Sequence, residues 1–109
     1  MSIDEALVFA IEPIVPEISP GLYEGEALEY CVYNYSALPR LHAEGRPGAI
    51  VYLVQVHYCL PTGRAAQRTL VQLKNALHRA GCTYPSAEDA SDEAGQHYVL
   101  ECQYMDGDI

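Results

Sequence analysis

One apolar run constrains the fold of this 109-residue chain more than any other feature. Nearly every residue of Ala49–Leu60 is apolar or aromatic, and a break at Pro61–Gly63 follows. A segment with helical periodicity then occupies Arg64–Ala80 and is closed by Gly81. An apolar run bounded by turn residues is typical of a buried strand. The pattern predicts a long central strand, a tight turn and a main helix that packs back on the sheet.

The predicted main helix has a clear apolar face. Leu70, Leu73 and Leu77 recur at helical spacing, while basic and amide side chains occupy the other faces. Gly81 suits the left-handed position that often follows a helix end, and Cys82 suits the apolar contact after it. We therefore expect the three leucines to lie in the core.

Shorter elements complete the predicted domain. Ser2–Glu5 has the pattern of a capping box, and the prolines that follow place a first helix at residues 3–12. Composition and alternation predict further strands at Ile18–Tyr23, Glu29–Tyr35 and Gln96–Tyr104. Residues 86–96 read as an acidic loop, and residues 36–48 read either as a functional loop or as a flexible hairpin arm. We expect one α+β domain over residues 1–109, with a mixed, mainly antiparallel sheet of about four to five strands flanked by two helices.

Charge is divided into three blocks along the chain. Residues 1–44 hold eight acids and one base, residues 45–87 hold five bases and no acid, and residues 88–109 hold seven acids and no base. The net charge of −9 argues against duplex DNA or an anionic membrane as a ligand of the whole surface. Blocks of opposite sign can pair within one fold or between neighbouring copies. The interface candidates are therefore the basic residues Arg64, Arg68 and Lys74, the acidic residues Glu88, Asp89, Asp92 and Glu93, and Tyr33 and Tyr35 of the Tyr-rich strand.

No residue pattern predicts a catalytic, cofactor or metal site. The cysteines lack the paired spacing of zinc ligands and are expected to be buried, reduced thiols: Cys31, Cys59, Cys82 and Cys102. His57 and Cys59 share a strand face, but nothing in the sequence supplies an oxyanion donor for a nucleophilic thiol. The chain shows neither a signal-peptide pattern nor an apolar run of the roughly 20 residues that cross a bilayer. We expect a reducing cytoplasmic location.

The order of these elements resembles the small tail-completion or tail-terminator proteins of long-tailed phages and prophages. The resemblance rests on four segments: Pro20–Gly25 in the irregular strand, His57–Pro61 at the end of the long strand, Leu77–Cys82 at the helix end, and Gly95–Cys102 in the last strand. It covers roughly residues 3–104 and includes no signature motif.

This resemblance implies a structural protein without enzymatic activity. Members of the group form rings, usually hexameric, at the head-proximal end of the tail tube, where they stop tube polymerisation and contact the head connector. The implied partners are other copies of the chain, the tail-tube protein and a neck protein, with no cofactor and no sequence-specific nucleic acid. The implied location is the bacterial host cytoplasm during assembly and then the virion tail. Two other classes stay open: a cytoplasmic dimeric α+β regulatory or ligand-binding module, and a small enzyme that uses His57 and Cys59.

Overall fold

The computed structural model describes residues 2–39 and 50–106. The elements within these ranges are α1 (Ile3–Ile11), β1 (Ile18–Pro20), β2 (Tyr30–Pro39), β3 (Ile50–Leu60), α2 (Gln67–Arg79), β4 (Ser86–Asp89) and β5 (Gln96–Asp106). The strands form one sheet in the order β1-β2-β3-β5-β4. β1 runs parallel to β2, whereas the other neighbouring strands are antiparallel. The predicted α+β class with a mixed, mainly antiparallel sheet is confirmed.

β3 is the central strand, as its apolar run predicts. It pairs with β2 on one side and with β5 on the other along its whole length. Val54, Val56, Tyr58 and Leu60 alternate onto one face and are buried beneath the helices. Leu53 lies on the opposite face and is 43 % exposed. The sheet therefore has one dry face and one mixed, open face.

α2 covers the dry face and ends as the sequence predicts. Its predicted apolar face is buried, and this face consists of Leu70, Leu73 and Leu77. After the last turn, the Cys82 amide donates to the Leu77 carbonyl at 3.1 Å and the Gly81 amide donates to the His78 carbonyl at 3.1 Å. Gly81 has φ +109°, so this Schellman motif uses the left-handed conformation that glycine adopts without steric cost. The motif turns the chain back toward β5.

α1 is fixed to the sheet at its first turn. The predicted capping box is present, since the Ser2 amide donates to the Glu5 carboxylate at 2.8 Å and the Glu5 amide donates to the Ser2 hydroxyl at 3.1 Å. Between them, Asp4 accepts hydrogen bonds from two β2 hydroxyls. Tyr33 donates to Oδ1 at 2.8 Å and Tyr35 donates to Oδ2 at 2.9 Å. We refer to Asp4, Tyr33 and Tyr35 as the Asp4 clasp.

The long strands extend past the shorter elements at one end of the sheet. The molecule has principal extents of 50 × 22 × 21 Å. β1 pairs only with Cys31–Tyr33 of β2, and β4 pairs only with Tyr98–Glu101 of β5. Beyond these pairs the sheet consists of β2, β3 and β5, apart from an isolated bridge between Cys82 and Tyr104. Leu38 and Met105 are exposed near its end.

Several predicted boundaries are wrong. β2 continues to Pro39, because residues 36–39 pair with β3, so the predicted irregular connection starts later than residue 36 and the rest of it lies outside the described residues. Residues 86–89 form the edge strand β4 instead of acidic loop, and its four exposed side chains give no apolar alternation that a sequence reading could detect. The first strand stops at Pro20, and α2 begins at Gln67 rather than at Arg64.

Candidate functional site

The basic interface candidates lie at the start of α2 and along it. Arg64 and Arg68 are exposed, and Lys74 is half-buried. α2 begins after Ala66, which provides no side-chain cap, and its first turn contains no acidic residue. The free amides of an uncapped helix start carry partial positive charge, so they add to the charge of the two arginines. This end of α2 is a compact positive surface.

The acidic candidates lie on β4 and on the turn that follows it. Glu88 and Asp89 are exposed on the edge strand, and Asp92 and Glu93 are exposed in the turn. The Ser91 amide donates to the Asp89 carboxylate at 2.9 Å, and hydrogen bonds from Ser91 hold the pKa of Asp89 below its ordinary value. The carboxylate of Asp89 is therefore ionised at neutral pH and carries its full charge to the surface.

Gln96 brings the two charged regions to the same end of the molecule. Its side-chain amide donates to the Pro61 carbonyl and to the Arg64 carbonyl, both at 2.8 Å. Gln96 directly follows the acidic turn, so the start of α2 and that turn are neighbours. Within the described residues, the hydrogen bonds to carboxylates come from tyrosines, from Gln55 and from backbone amides, and not from arginine or lysine.

The two tyrosines proposed for an interface lie on the face of the sheet that the helices cover. Tyr33 is 3 % exposed and Tyr35 is half-buried, and both hydroxyls bind Asp4 on α1. Burial and the bond to Asp4 raise the pKa of Tyr33 to about 12. The assignment of Tyr33 to an intermolecular surface is corrected, because its side chain stabilises the protomer. Tyr35 belongs to the same clasp.

A second cluster of polar side chains occupies the open face of the sheet. His57 Nδ1 and His97 Nε2 are 2.8 Å apart, so one ring donates a hydrogen bond to the other. Cys59 lies opposite His97 across β3 and β5, and Tyr30 lies opposite Cys59 on β2. Cys59, His97 and Tyr30 line a depression of about 340 Å³. This cluster brings His57 and Cys59, the candidate pair from the sequence, together with His97.

The chemistry of this cluster does not favour a thiol nucleophile. Burial raises the pKa of the Cys59 thiol, although a hydrogen bond with Tyr30 acts in the opposite direction. A nucleophilic cysteine needs a lowered pKa, because the thiolate is the reactive form. Burial and the neighbouring His97 lower the pKa of His57, so the His57 ring favours its neutral form. Across residues 2–39 and 50–106, no group of three or more His, Cys, Asp or Glu side chains is arranged to hold a metal ion.

Phe9 is a surface residue that the sequence reading passed over. It is 74 % exposed on α1. A helical wheel already places position 9 opposite the buried Leu7 and Ile11, since residues two apart are about 200° apart on a helix. The helical spacing of α1 therefore indicates that its one aromatic residue lies on the outer face.

Comparison with known proteins does not assign a family. No protein-family model matches the chain, and no curated protein matches it. In the part of the chain that the structure describes, no helix has the length and apolar character needed to span a bilayer. The fold and the surface therefore define an α+β domain with exposed basic and acidic residues at one end and an open sheet face.

Proposed function

We propose that this protein is a structural subunit of a phage or prophage tail, of the tail-terminator or tail-completion type. It assembles into a ring, a hexamer by the resemblance, at the head-proximal end of the tail tube. There it stops tube polymerisation and presents a surface to the head connector. The proposal extends the resemblance in element order. The observation that supports it is the exposed basic start of α2 together with the exposed acidic edge strand β4.

The acidic side of the proposed contact is β4. All four of its side chains are exposed, and Glu88 and Asp89 supply two carboxylates on the outer edge of the sheet. Charged residues on an edge strand discourage unspecific strand pairing. They also present a charged surface to a neighbour that carries the opposite sign.

The basic side is the start of α2. Arg64 and Arg68 stand beside an uncapped helix start, where helix amides and guanidinium groups attract carboxylates together. Glu88 and Asp89 of the next copy would supply the missing anions. The contact joins two different surfaces, and such head-to-tail contacts close into a ring when the rotation between copies allows it.

Ion pairs and apolar contacts would play different roles in the proposed assembly. An exposed ion pair stabilises a complex by only about 0–1 kcal/mol. The charges therefore set register and partner choice, while most of the affinity comes from apolar side chains buried on assembly. The tail-tube protein and a neck protein would meet the two open faces of the ring.

The decisive experiment reverses the basic surface in the phage or prophage that encodes the chain. Arg64→Glu combined with Arg68→Glu is expected to give overlong tails or tails without heads in electron micrographs, with the protein still folded by circular dichroism. Arg64→Lys combined with Arg68→Lys keeps the charge and is expected to give normal virions. Adding Glu88→Arg and Asp89→Arg to the reversed chain is expected to restore assembly.

Each outcome bears on a different part of the proposal. Normal virions from the reversed chain would exclude the start of α2 as an assembly surface. Failure of the second reversal to restore assembly would exclude β4 as its partner. Normal virions after deletion of the whole gene would exclude the function itself.

A further inference from the structure

The outer surface of the helical layer carries an aromatic side chain that the core does not use. Phe9 is the chain's one phenylalanine and is 74 % exposed on α1. A large ring held in water by a stable helix gains much when a partner covers it, because aromatic side chains bury more area than most others. A single exposed ring does not define a contact surface, so the surroundings of Phe9 decide whether it can serve as one.

The ring of Phe9 stands between two depressions. The first measures about 430 Å³ and is lined, besides Phe9, by Asp4, Glu5, Val8 and Glu12. The second measures about 270 Å³ and follows the seam between α1 and the end of α2. Besides Phe9, this seam groove is lined by Ala10, Pro13, Ile14, Ala76, Arg79 and Ala80. Its lining is apolar except for Arg79.

The two sides of Phe9 are opposite in charge. Glu5 is exposed on α1 and Glu12 is exposed at its C-cap, and α1 has no basic residue. Arg79 is exposed on α2, which has no acidic residue. The Phe9 ring, with acidic residues on one side, thus lies beside the seam groove, whose margin carries the basic residue Arg79. One patch carries both halves of a complementary contact.

We propose that this patch binds a second copy of the chain about a two-fold axis. Phe9 of each copy enters the seam groove of the other, and Glu12 of each copy lies near Arg79 of the other. A two-fold contact requires a self-complementary patch, and a projection beside its own matching groove meets that requirement. The guanidinium at the groove margin also attracts the face of the entering ring. The contact uses neither Arg64 nor β4, so it is independent of the proposed function.

The test is the self-association of the purified full chain, measured by analytical ultracentrifugation over a wide range of concentration. The wild-type chain is expected to show a monomer–dimer equilibrium. Phe9→Ser is expected to weaken the dimer about 100-fold, roughly tenfold for each of the two rings in the contact. Leu22→Ser is the matched control, because Leu22 is 69 % exposed and lines neither depression. It should leave the equilibrium unchanged.

A charge exchange tests the register. Glu12→Arg and Arg79→Glu should each weaken self-association, since each places like charges together twice in the symmetric dimer. An equimolar mixture of the two variants should form a heterodimer, because both charge pairs are then restored. Higher salt should reduce the difference between the mixture and the single variants.

Three results would overturn this inference. They are a wild-type chain that is monomeric at every concentration, a dimer or ring that Phe9→Ser leaves intact, and a mixture that associates no better than its components. A ring that survives Phe9→Ser but is lost with Arg64→Glu and Arg68→Glu would support the proposed function while excluding the Phe9 contact. A dimer that depends on Phe9, together with normal virions after deletion of the gene, would support the Phe9 contact while excluding the proposed function.

Discussion

The Asp4 clasp is expected to contribute measurably to the free energy of unfolding of the protomer, because it joins α1 to β2. Asp4→Ala removes the acceptor of the Tyr33 and Tyr35 hydroxyls, both of which lie within 2.9 Å of its oxygens. Hydrogen bonds to a charged group contribute about 1.5–3 kcal/mol each when they are shielded from water, and less when exposed. The aspartate also interacts with the start of α1, which contributes roughly 0.3–1 kcal/mol.

These terms give a graded set of expected losses in the free energy of unfolding. Tyr33 is buried, so Tyr33→Phe should cost about 1–2 kcal/mol. Tyr35 is half-buried, so Tyr35→Phe should cost less, below about 1 kcal/mol. Asp4→Ala should cost about 2–3 kcal/mol, which is less than the full sum because part of the clasp is open to water.

Urea unfolding followed by circular dichroism measures these losses. Tyr84→Phe is the matched control, because its exposed hydroxyl donates to the neutral side chain of Asn75 at 3.1 Å. It should change stability by less than about 0.5 kcal/mol. The decisive quantity is the coupling between Tyr33→Phe and Asp4→Ala, expected to be about 1–2 kcal/mol. Additive losses, or a Tyr33→Phe loss no larger than the control, would refute the clasp.

Three further predictions follow from the core, the open face and the thiols. Leu73→Ala should cost about 2–5 kcal/mol, whereas Val71→Ala on the exposed side of α2 should cost less than about 1 kcal/mol; equal losses in urea unfolding would refute the assigned face. Burial and His97 lower the pKa of His57, so the folded state binds a proton less readily than the unfolded chain. Stability should therefore be complete above the ordinary histidine pKa of about 6.5 and fall as the pH drops below it. His57→Gln should flatten that part of the urea-midpoint profile, and an unchanged slope would contradict the assignment. All four cysteines are free thiols in the structure, and alkylation under denaturing conditions should modify Cys31, Cys59, Cys82 and Cys102; an intact mass lower by two hydrogens would reveal a disulfide.

The parts of the fold that follow from the sequence are those with one strong local signal. The leucine spacing of α2, its glycine end and the capping box of α1 are each specified by side chains within a few residues of one another. The central position of β3 follows from its apolar length. β4 was missed because its side chains are all exposed, so only its pairing with β5 makes it a strand.

The tyrosines show a different limit. Alternation along β2 correctly places Tyr33 and Tyr35 on the same face. It does not say which face the helices cover, because both faces carry apolar residues. That choice depends on Asp4, about 30 residues away in sequence, whose pairing with the two hydroxyls exists only in the folded chain. Likewise, the acidic turn lies near Arg64 because Gln96 bonds to the Arg64 carbonyl. No pattern of neighbouring residues in the sequence predicts this contact.

The extension of the sheet past its helices divides β3 into two parts with different protection from solvent. Amides near Val56 and Tyr58 lie above a buried core, between two long partners. Amides near Ile50 have the same partners, but they lie past the bridge between Cys82 and Tyr104, where the sheet has three strands and Leu38 and Met105 are exposed. Hydrogen exchange at the first group should require global unfolding, whereas exchange at the second needs only the tip of the three-stranded ribbon to open. One continuous strand would then have a slow-exchanging central part and a fast-exchanging tip, with the boundary near the bridge between Cys82 and Tyr104.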